Sequence, residues 1–359
     1  MSELNIAVMP GDGVGPEVTA EAWKVLTAAG ERFGFTLNRS DWPHGAAHYL
    51  ETGKTISDAD LDQLGGHDAI LFGAVGVEPA GMAKIPQGLL ETEILLKMRF
   101  GLDQYVNLRP VTLLPGVNTP LAGQSSETIN FTVVRENTEG LYCGQGGFLY
   151  KGTPHEVANQ IEVTTRHGVE RVIRYAFETA KREGRDRVTL VAKTNVLRFA
   201  HDLWARAFRE VASEFSDVTA DYQHVDACCM YMVTNPQQYG VIVTTNMFGD
   251  ILTDLGAAIS GGMGVAASGN LDPERRKASM FEPVHGSAPD IAGQGKANPT
   301  AAILSAAMML DHCGQPDAAE AVRKAIAAAL ADASTRTGDL GGTASTSAAG
   351  DAVVTTMGS

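Results

Sequence analysis

Segments with the pattern of buried β-strands alternate with segments of helical periodicity along most of this 359-residue chain. The strand-like segments are short apolar runs rich in β-branched residues: Leu4–Met9, Ala69–Phe72, Phe131–Val134, Val188–Val191 and Val241–Thr244. Helical spacing is found over three segments: Leu89–Phe100, Thr300–His312 and Ala318–Ala333. Alternation of this kind is typical of a mostly parallel sheet covered by helices. The sequence therefore predicts an α/β fold.

Most of the polar motifs lie in one continuous segment, residues 106–261. This segment is flanked by two α/β stretches, residues 1–105 and 262–359, which can pack together as a single domain. A chain of this length can bury two separate cores. We therefore predict a discontinuous outer α/β domain with a central domain inserted into it.

The formal net charge of −14 argues against several classes of function. No basic run interrupts the acidic chain, so its field would repel nucleic acid and anionic lipid. The longest apolar stretch, Ala301–Leu310, is too short to cross a bilayer. The N-terminal residues lack the basic and apolar regions of a secretory signal. We expect a cytoplasmic protein that binds neither nucleic acid nor membranes.

Four cysteines are present, and none of them forms a CxxC pair. Two of the four, Cys228 and Cys229, are adjacent and therefore unsuited to an ordinary disulfide. We expect reduced thiols throughout.

A glycine-rich turn, Gly11–Gly15, follows the first strand and precedes a helix expected to begin near Pro16. Its position is that of the phosphate-binding turn in dinucleotide-binding folds, but the third glycine comes one residue too early. Asp12 would also place a negative charge beside a pyrophosphate. We interpret the segment as a tight turn and not as a dinucleotide fingerprint.

Three arginines are candidates for binding carboxylates. Arg99 follows Leu95 by four residues and Leu96 by three, which places all three on one helical face. Arg109 lies in an extended segment before a proline, and Arg135 ends a strand. Guanidinium groups bind carboxylates in a bidentate manner, so three that converge would suit a di- or tricarboxylic acid. The alternative for each arginine alone is an ordinary surface ion pair.

Asp250 and Asp254 lie four residues apart on an apolar helix, a spacing at which like charges repel. A hard cation such as Mg²⁺ or Mn²⁺ would neutralise them, and Asp226 on a neighbouring element is a candidate third ligand. The alternative is a pair of solvated aspartates. Lys193 at a strand end and Tyr142 after a glycine turn are candidate proton-transfer groups, although each alone is more often an ordinary surface or core residue.

A long loop rich in glycine and proline follows Phe281 and extends to Pro299. Loops of this length inside a compact domain are usually functional. Its polar side chains stand at four positions: His285, Ser287, Asp290 and Asn298. In a nucleotide pocket an acidic residue can accept hydrogen bonds from both ribose hydroxyls and would repel a 2′-phosphate.

Two segments, NMFGDILTDLGAAISGG and FEPVHGSAPDIAGQGKANPTAAILS, resemble motifs of the β-decarboxylating dehydrogenase family. This family contains isocitrate, homoisocitrate, isopropylmalate and tartrate or D-malate dehydrogenases. The resemblance extends from MPGDGVGPEV to DLGGTASTSAAGDAV and so spans nearly the whole chain. It implies the two-domain isopropylmalate/isocitrate dehydrogenase-like fold, which is not of the Rossmann type. It also implies an intimate homodimer in which each active site uses residues of both subunits.

The resemblance implies roles for the polar residues of the central domain, which would carry the dimer interface. The substrate carboxylates would be bound by three arginines: Arg99, Arg109 and Arg135. The divalent metal would be held by three aspartates, of which the first would also contact the substrate: Asp226, Asp250 and Asp254. Lys193 and Asp226 would come from the partner subunit. Lys193 would assist removal of the hydroxyl proton, and Tyr142 would protonate the enol.

The same resemblance places the NAD site on the outer domain. The cofactor would be bound by residues of the long loop: His285, Gly286, Ser287, Asp290, Ile291 and Asn298. Asp290 occupies the position that selects NAD over NADP, where NADP-using relatives carry a lysine.

The substrate expectation depends on Leu95 and Leu96, which stand where isocitrate-oxidising relatives carry polar residues. An apolar substituent at C3, or none, is therefore expected on a 2-hydroxy dicarboxylic acid. KTNVL, which contains Val196, and HVDA resemble the isopropylmalate branch, whereas LDQYVNLRPVTLLPG and VRENTEG resemble the malate and tartrate branch. We expect oxidative decarboxylation of (2R,3S)-3-isopropylmalate to 4-methyl-2-oxopentanoate, a reaction of leucine biosynthesis. D-malate, tartrate or another 3-substituted malate is the alternative.

Overall fold

The computed structural model describes residues 2–77 and 84–358, which contain twelve β-strands and eleven α-helices. The strands are β1 (Ser2–Gly11), β2 (Phe35–Asp41), β3 (Ala69–Ala74), β4 (Val106–Thr112), β5 (Asn130–Glu136), β6 (Gly146–Leu149), β7 (Val157–Gln160), β8 (Arg187–Ala192), β9 (Thr219–His224), β10 (Val241–Thr244), β11 (Ala267–Leu271) and β12 (Ser279–Pro283). The helices are α1 (Gly15–Phe33), α2 (Ala46–Thr52), α3 (Asp58–Gly65), α4 (Lys97–Gly101), α5 (Arg166–Arg182), α6 (Ala200–Ala212), α7 (Val225–Thr234), α8 (Asn246–Ile259), α9 (Thr300–His312), α10 (Pro316–Ala331) and α11 (Thr346–Gly358). The predicted α/β fold is confirmed.

The chain forms two compact units. The first consists of Met1–Gln104, Thr112–Glu127 and Ala257–Ser359, and the second of Tyr105–Val111 and Thr128–Gly256. Relative to the division drawn from the sequence, residues 112–127 and 257–261 lie with the first unit, and Tyr105 lies with the second. The assignment of the NAD site to one domain and of the dimer interface to the other stays a prediction.

The strands of the first unit lie in the order β2-β1-β3-β12-β11. β1 pairs in parallel with β2 and β3, and β3 pairs in parallel with β12, whereas β11 runs antiparallel to β12. Alternate residues of the central strands, among them Met9 and Phe72, point to one face. That face is covered by apolar side chains of α3, α4 and the segment before α4, including Leu64, Ile94 and Met98. Helices α1, α9, α10 and α11 also pack against one another in this unit.

The strands of the second unit lie in the order β4-β5-β10-β8-β9. β5, β10, β8 and β9 are parallel neighbours, so their carboxyl ends meet at one edge of the sheet. α5 and α6 pack together over this sheet. β6 and β7 form a separate antiparallel hairpin, and every residue of its two strands is exposed.

The predicted helix over Leu89–Phe100 contains an irregular turn. Glu91–Leu96 is π-helical, and the N–H of Lys97 donates to the carbonyl of Thr92, five residues earlier. Leu89 and Leu90 before this turn are α-helical, and regular α-helix resumes with α4. π-Helical turns are rare and are found mostly at functional sites.

The residues of this segment that face the core are Leu90, Ile94 and Met98, which are fully or nearly fully buried and recur at intervals of four. All three belong to the first unit's core. The leucine pair is divided, because Leu95 packs against this core whereas Leu96 is outside it.

Among residues 2–77 and 84–358, no helix combines the length and the apolar character that crossing a membrane requires. All four cysteines are free, as expected, and Cys228 is the buried one. Burial raises the pKa of the Cys228 thiol to about 12.

The turn after β1 is structural, as its glycine spacing predicts. Asp12 accepts hydrogen bonds from the N–H groups of Ala46, at 2.8 Å, and of Gly76, at 3.2 Å. Its carboxylate is therefore engaged with the start of α2 and with the segment after β3. Gly11 has a φ of +70°, and a Cβ there would lie 1.9 Å from the carbonyl oxygen of Ala74.

Gly11→Ala should lower the free energy of unfolding by at least about 3 kcal/mol, because a strained φ and a backbone collision combine. Gly34→Ala is the matched control, since Gly34 has a φ of +76° and a Cβ added there would meet no atom within 4 Å. In that variant the free energy of unfolding should fall by only about 1–2 kcal/mol, because the left-handed φ is then the only source of strain. Calorimetric melting of both variants checks the prediction, and equal losses would contradict it.

Candidate active site

In the second unit, the predicted polar residues cluster where parallel strands end, the usual place for ligands in α/β proteins. Arg135 is the penultimate residue of β5, Lys193 directly follows β8, and α8 begins two residues after β10. Asp250 and Asp254 lie on α8, one helical turn apart. The predicted positions on a helix and at strand ends are confirmed.

Arg135 is held by two residues of α8. Its Nη1 donates to Asp250 Oδ1 at 2.5 Å, and its Nε and Nη2 both donate to Asn246 Oδ1, at 3.2 and 2.8 Å. Asn246 in turn donates to the carbonyl of Glu139 at 3.1 Å. The side chain of Arg135 is only 3% exposed, so its rotamer is fixed by buried partners. Such a guanidinium is preorganised to bind an anion.

Asp250 is the common partner of three predicted site residues. Its Oδ1 lies 3.7 Å from Arg109 Nη2, and its Oδ2 accepts a hydrogen bond from the Tyr142 hydroxyl at 3.2 Å. The Arg135 guanidinium also lies 5.5 Å from the centre of the Tyr142 ring. Arg109 is further fixed by donating to Thr253 Oγ1 at 2.6 Å. The structure thus brings Arg109, Arg135, Tyr142 and Asp250 together.

Asp254 lies one turn further along α8, where its pKa is affected by the charges of Asp250, Arg109 and Arg135. Burial and the neighbouring Asp250 carboxylate raise its pKa, while Arg109 and Arg135 oppose the increase. Two hard carboxylates that repel each other on one helix are suitable ligands for Mg²⁺ or Mn²⁺. The donor chemistry therefore fits the predicted metal.

Lys193 and Asp226 form their own pair. The Lys193 ammonium donates a short hydrogen bond to Asp226 Oδ1, and this bond holds the pKa of Asp226 below its ordinary value. Within the described part of this single chain, no three His, Cys, Asp or Glu side chains are grouped as a metal site. Asp226 is therefore not assembled with Asp250 and Asp254 inside one chain.

Arg99, Leu95 and Leu96 lie in the first unit. Arg99 Nη2 donates to Glu282 Oε1 at 2.9 Å, and Asn270 Nδ2 donates to the same oxygen at 2.7 Å. Both charged side chains are less than one-tenth exposed. Glu282 was not predicted from the sequence as a site residue. The available signal was an acidic residue inside the apolar strand β12.

The long loop after β12 lies against the start of α1. Val14 N donates to the carbonyl of Ser287 at 2.8 Å, and Glu17 accepts a hydrogen bond from the N–H of Gly295 at 3.1 Å. Asn298 donates to Asp339 at 2.9 Å. The six predicted cofactor residues are distributed along this loop, Gly286 and Asp290 exposed and Ser287 and Asn298 buried.

One atom of the loop points to a ligand. His285 Nε2 is buried and has no hydrogen-bond partner among the described residues, while Nδ1 lies 2.9 Å from the carbonyl of Gly286. Burial lowers the pKa of His285, so the ring is neutral and its free nitrogen can bind a polar group. The loop therefore fits the nucleotide part of NAD, while the roles of its residues stay predictions.

Asn246 and Glu136 were also not predicted from the sequence as site residues. The available signal for Asn246 was an amide at the start of an apolar helix after a buried strand. Glu136 is fully enclosed and accepts hydrogen bonds from the N–H groups of Thr138, at 2.7 Å, and Glu139, at 2.9 Å. Glu139 in turn accepts from Thr165 N at 2.8 Å, where α5 begins. Glu136 therefore fixes the turn that leads from Arg135 to Tyr142.

Comparison with known proteins gives matches over nearly the whole chain. The family described as isocitrate/isopropylmalate dehydrogenase matches residues 5–353. The 3-isopropylmalate dehydrogenase of Clavibacter michiganensis subsp. michiganensis is 56% identical over 328 residues, 91% of each chain. That of Thermobifida fusca is 54% identical over 348 residues, 97% of this chain and 96% of the relative.

A solved structure shows the same fold. The crystal structure of isocitrate dehydrogenase from Methylococcus capsulatus superimposes with a TM-score of 0.87 at 38% identity, covering 99% of both chains. The predicted isopropylmalate/isocitrate dehydrogenase-like architecture is therefore confirmed.

Glu136→Gln should remove a pH dependence of stability. Burial raises the pKa of Glu136 from 4.5 to about 7. Because the folded protein favours the protonated carboxyl, the free energy of unfolding should fall as pH rises from about 4.5 through about 7, by on the order of 3 kcal/mol. Glutamine cannot ionise, so melting curves of the variant should show a flatter profile over this range.

The glutamine amide would also face the N–H of Glu139 or Thr138, so the variant should melt at a lower temperature at acidic pH. The exposed Glu3→Gln is the control for the loss of one carboxylate. Parallel pH profiles for Glu136→Gln and the wild-type protein would contradict the prediction.

Proposed function

Because the chain belongs to the isocitrate/isopropylmalate dehydrogenase family, we propose that it catalyses the NAD-dependent oxidative decarboxylation of (2R,3S)-3-isopropylmalate. The product is 4-methyl-2-oxopentanoate, as in leucine biosynthesis. The observation that carries the proposal is the cluster in which the buried Arg109 and Arg135 and the partly exposed Tyr142 meet Asp250. The named relatives support the choice of substrate. The chain would act in the cytoplasm.

The arginines bind and orient the substrate. Arg109 and Arg135 are fixed by Thr253 and Asn246, so they lose little side-chain freedom when a carboxylate arrives. Arg99, held by Glu282 in the first unit, is the third arginine proposed to bind a carboxylate. Leu95, Leu96 and Val196 are the residues proposed to contact the C3 branch.

Asp250 and Asp254 would hold Mg²⁺ or Mn²⁺ together with Asp226 of the partner subunit. When bound, the metal would supply Lewis acidity to the reaction. Burial and the repulsion of Asp250 raise the pKa of Asp254, and this supports the role because a bound cation would relieve the repulsion. Asp226 and Lys193 already form an ion pair within one chain, so the partner subunit would supply both residues together.

Proton transfer is divided between two residues. Lys193, paired with Asp226, would assist removal of the proton of the substrate hydroxyl as C2 is oxidised, and bound NAD⁺ would supply the hydride acceptor. After loss of CO₂, Tyr142 delivers a proton to C3 of the enol. Its hydroxyl contacts Asp250 and its ring lies beside Arg135, which keeps the donor at the carboxylate-binding cluster.

A homodimer completes the site. Phe148, Leu149 and Tyr150 on the β6–β7 hairpin are 57, 62 and 70% exposed, and an isolated two-stranded hairpin is only marginally stable in water. Helices α7 and α8 expose further apolar side chains on the same unit: Met230, Tyr231, Val233, Met247 and Ile251. A second copy of the chain would cover this surface and supply Lys193 and Asp226 to the site of its partner.

The direct test is NADH formation by the purified protein with Mn²⁺ and NAD⁺, with 3-isopropylmalate, D-malate and tartrate offered in parallel. We expect kcat/KM for isopropylmalate to exceed that for malate by roughly 30-fold, since burying a three-carbon branch is worth about 2 kcal/mol. A preference for D-malate or tartrate would keep the chemistry and overturn the substrate.

Lys193→Met is the control for contaminating host dehydrogenases in this assay. Methionine keeps the length of the side chain but cannot accept a proton, so turnover should fall at least ~1,000-fold. Size-exclusion chromatography should show an unchanged dimer. Near-wild-type turnover by Lys193→Met would refute its catalytic role.

Asp290→Lys should shift cofactor preference from NAD⁺ towards NADP⁺. The exposed carboxylate of Asp290 would lose its ribose hydroxyl partners, and a lysine would attract the 2′-phosphate. We expect kcat/KM for NAD⁺ to fall about tenfold and that for NADP⁺ to rise by a similar factor, about 1.4 kcal/mol each. Asp62→Lys, an equal change of charge on α3, should leave the ratio unchanged.

A further inference from the structure

His201 contacts the main chain of Lys193. The ring lies in the first turn of α6 and is completely buried. Its Nδ1 accepts a hydrogen bond from the main-chain N–H of Lys193 at 2.8 Å. This bond joins two residues eight positions apart, at the point where the chain leaves β8.

The acceptor role of Nδ1 fixes the state of the ring. A nitrogen that accepts a hydrogen bond carries no proton, so the neutral ring bears its proton on Nε2. Glu162 Oε1 lies 3.3 Å from Nε2, close enough for electrostatic attraction but not aligned as a full hydrogen bond. The Glu162 side chain is 18% exposed, so its negative charge is largely shielded from water where it faces the ring. A carboxylate in this place stabilises the Nε2–H form, as in carboxylate–histidine pairs elsewhere.

The turn that follows Lys193 is anchored at its base by hydrogen bonds to Lys193 and Thr194. The carbonyl of Lys193 accepts hydrogen bonds from the N–H groups of Val196, at 3.1 Å, and Leu197, at 2.9 Å. Thr194 N bonds to the Tyr222 hydroxyl at 3.2 Å. Further along, Val196 and Phe199 are 62 and 93% exposed. The main-chain position of Lys193 therefore depends on His201 on one side and on Tyr222 on the other.

We propose that Glu162 and His201 form a positioning pair that holds the main chain of Lys193, and so sets where its ammonium group is presented. The proposal rests on the catalytic role proposed above for Lys193. The ring of Phe248 packs edge-to-face on His201 at 5.4 Å and completes its enclosure. A displacement of about 1 Å at a reacting group can reduce turnover by about 100-fold, so a buried contact two bonds from the lysine Cβ can affect the rate without touching substrate.

Two substitutions at His201 separate hydrogen bonding from packing. His201→Leu fills the same space with an apolar side chain of similar size but removes the Nδ1 acceptor. In His201→Asn the side-chain oxygen takes the place of Nδ1 and can accept the same N–H. Trp204→Phe, at a 2% exposed position on the same helix, is the control for loss of packing alone. Glu162→Ala tests the outer member of the pair at a less buried position.

The readouts on the full-length dimer are amide hydrogen exchange at Lys193 and steady-state kinetics with 3-isopropylmalate, NAD⁺ and Mn²⁺. We expect His201→Leu to speed exchange of that amide at least ~10-fold and to lower kcat by about 10- to 100-fold, with KM changed less than about threefold. His201→Asn should restore both within about threefold of wild type, and Glu162→Ala should lower kcat by about threefold. Trp204→Phe should lower the melting temperature and leave kcat within about twofold.

Wild-type exchange and kcat in His201→Leu would overturn the proposal, and so would a His201→Asn variant as impaired as His201→Leu. If His201→Leu does not fold, His201→Asn and Glu162→Ala decide by the same criteria. Amide hydrogen exchange at Lys193 can be measured even if the protein does not turn over any substrate. If the wild-type protein oxidises none of the three substrates, the proposed function fails, while amide exchange still shows whether His201 holds Lys193.

Discussion

Burial of two guanidinium groups beside one carboxylate is the constraint on which the second unit depends. Arg109 and Arg135 are 8 and 3% exposed, and a cation removed from water is tolerated only with a nearby negative charge and satisfied donors. Asp250 supplies the charge, while Asn246 and Thr253 take up remaining donors. All three partners come from α8, so one helix determines the arrangement of both arginines.

The same helix carries the two carboxylates proposed as metal ligands. Asp250 is shared by the arginines, whereas Asp254, one turn further on, is affected by their longer-range attraction and by the repulsion of Asp250. Its pKa is raised because burial and this repulsion outweigh the attraction of the arginines. The proposed metal site then needs a ligand from another element, and Asp226 with its lysine partner is the candidate.

Much of this architecture could be predicted from the sequence. The strands from Leu4, Ala69 and Val241 and the helix over Thr300–His312 were identified from apolar runs and periodicity, because burial on both faces leaves a local pattern. Asp250 and Asp254 were identified from a spacing that is unfavourable without a ligand. These signals are all contained within a few neighbouring residues.

The parts that could not be predicted depend on pairs distant in sequence. Glu282 and Arg99 are 183 residues apart, and Asn246 and Arg135 are 111 apart, so no local pattern links them. His201 could not be told from any other buried helix residue, because only the fold places Lys193 N against its ring. The π-helical turn before α4 was also not predicted. Apolar residues three and four apart line one face of a regular helix as well, so the local sequence pattern does not distinguish the two.

That π-helical turn affects how such a site can change over evolution. A π-helical turn contains one residue more than the α-helical turn it replaces. Loss of a single residue from Glu91–Leu96 would therefore restore regular helix while Met98 and Arg99 kept their places in α4. The residues that precede the lost one would rotate about the helix axis relative to Arg99 without any change in their side chains. Chain length, and not only residue identity, is thus a variable by which a lineage can alter the surroundings of Arg99.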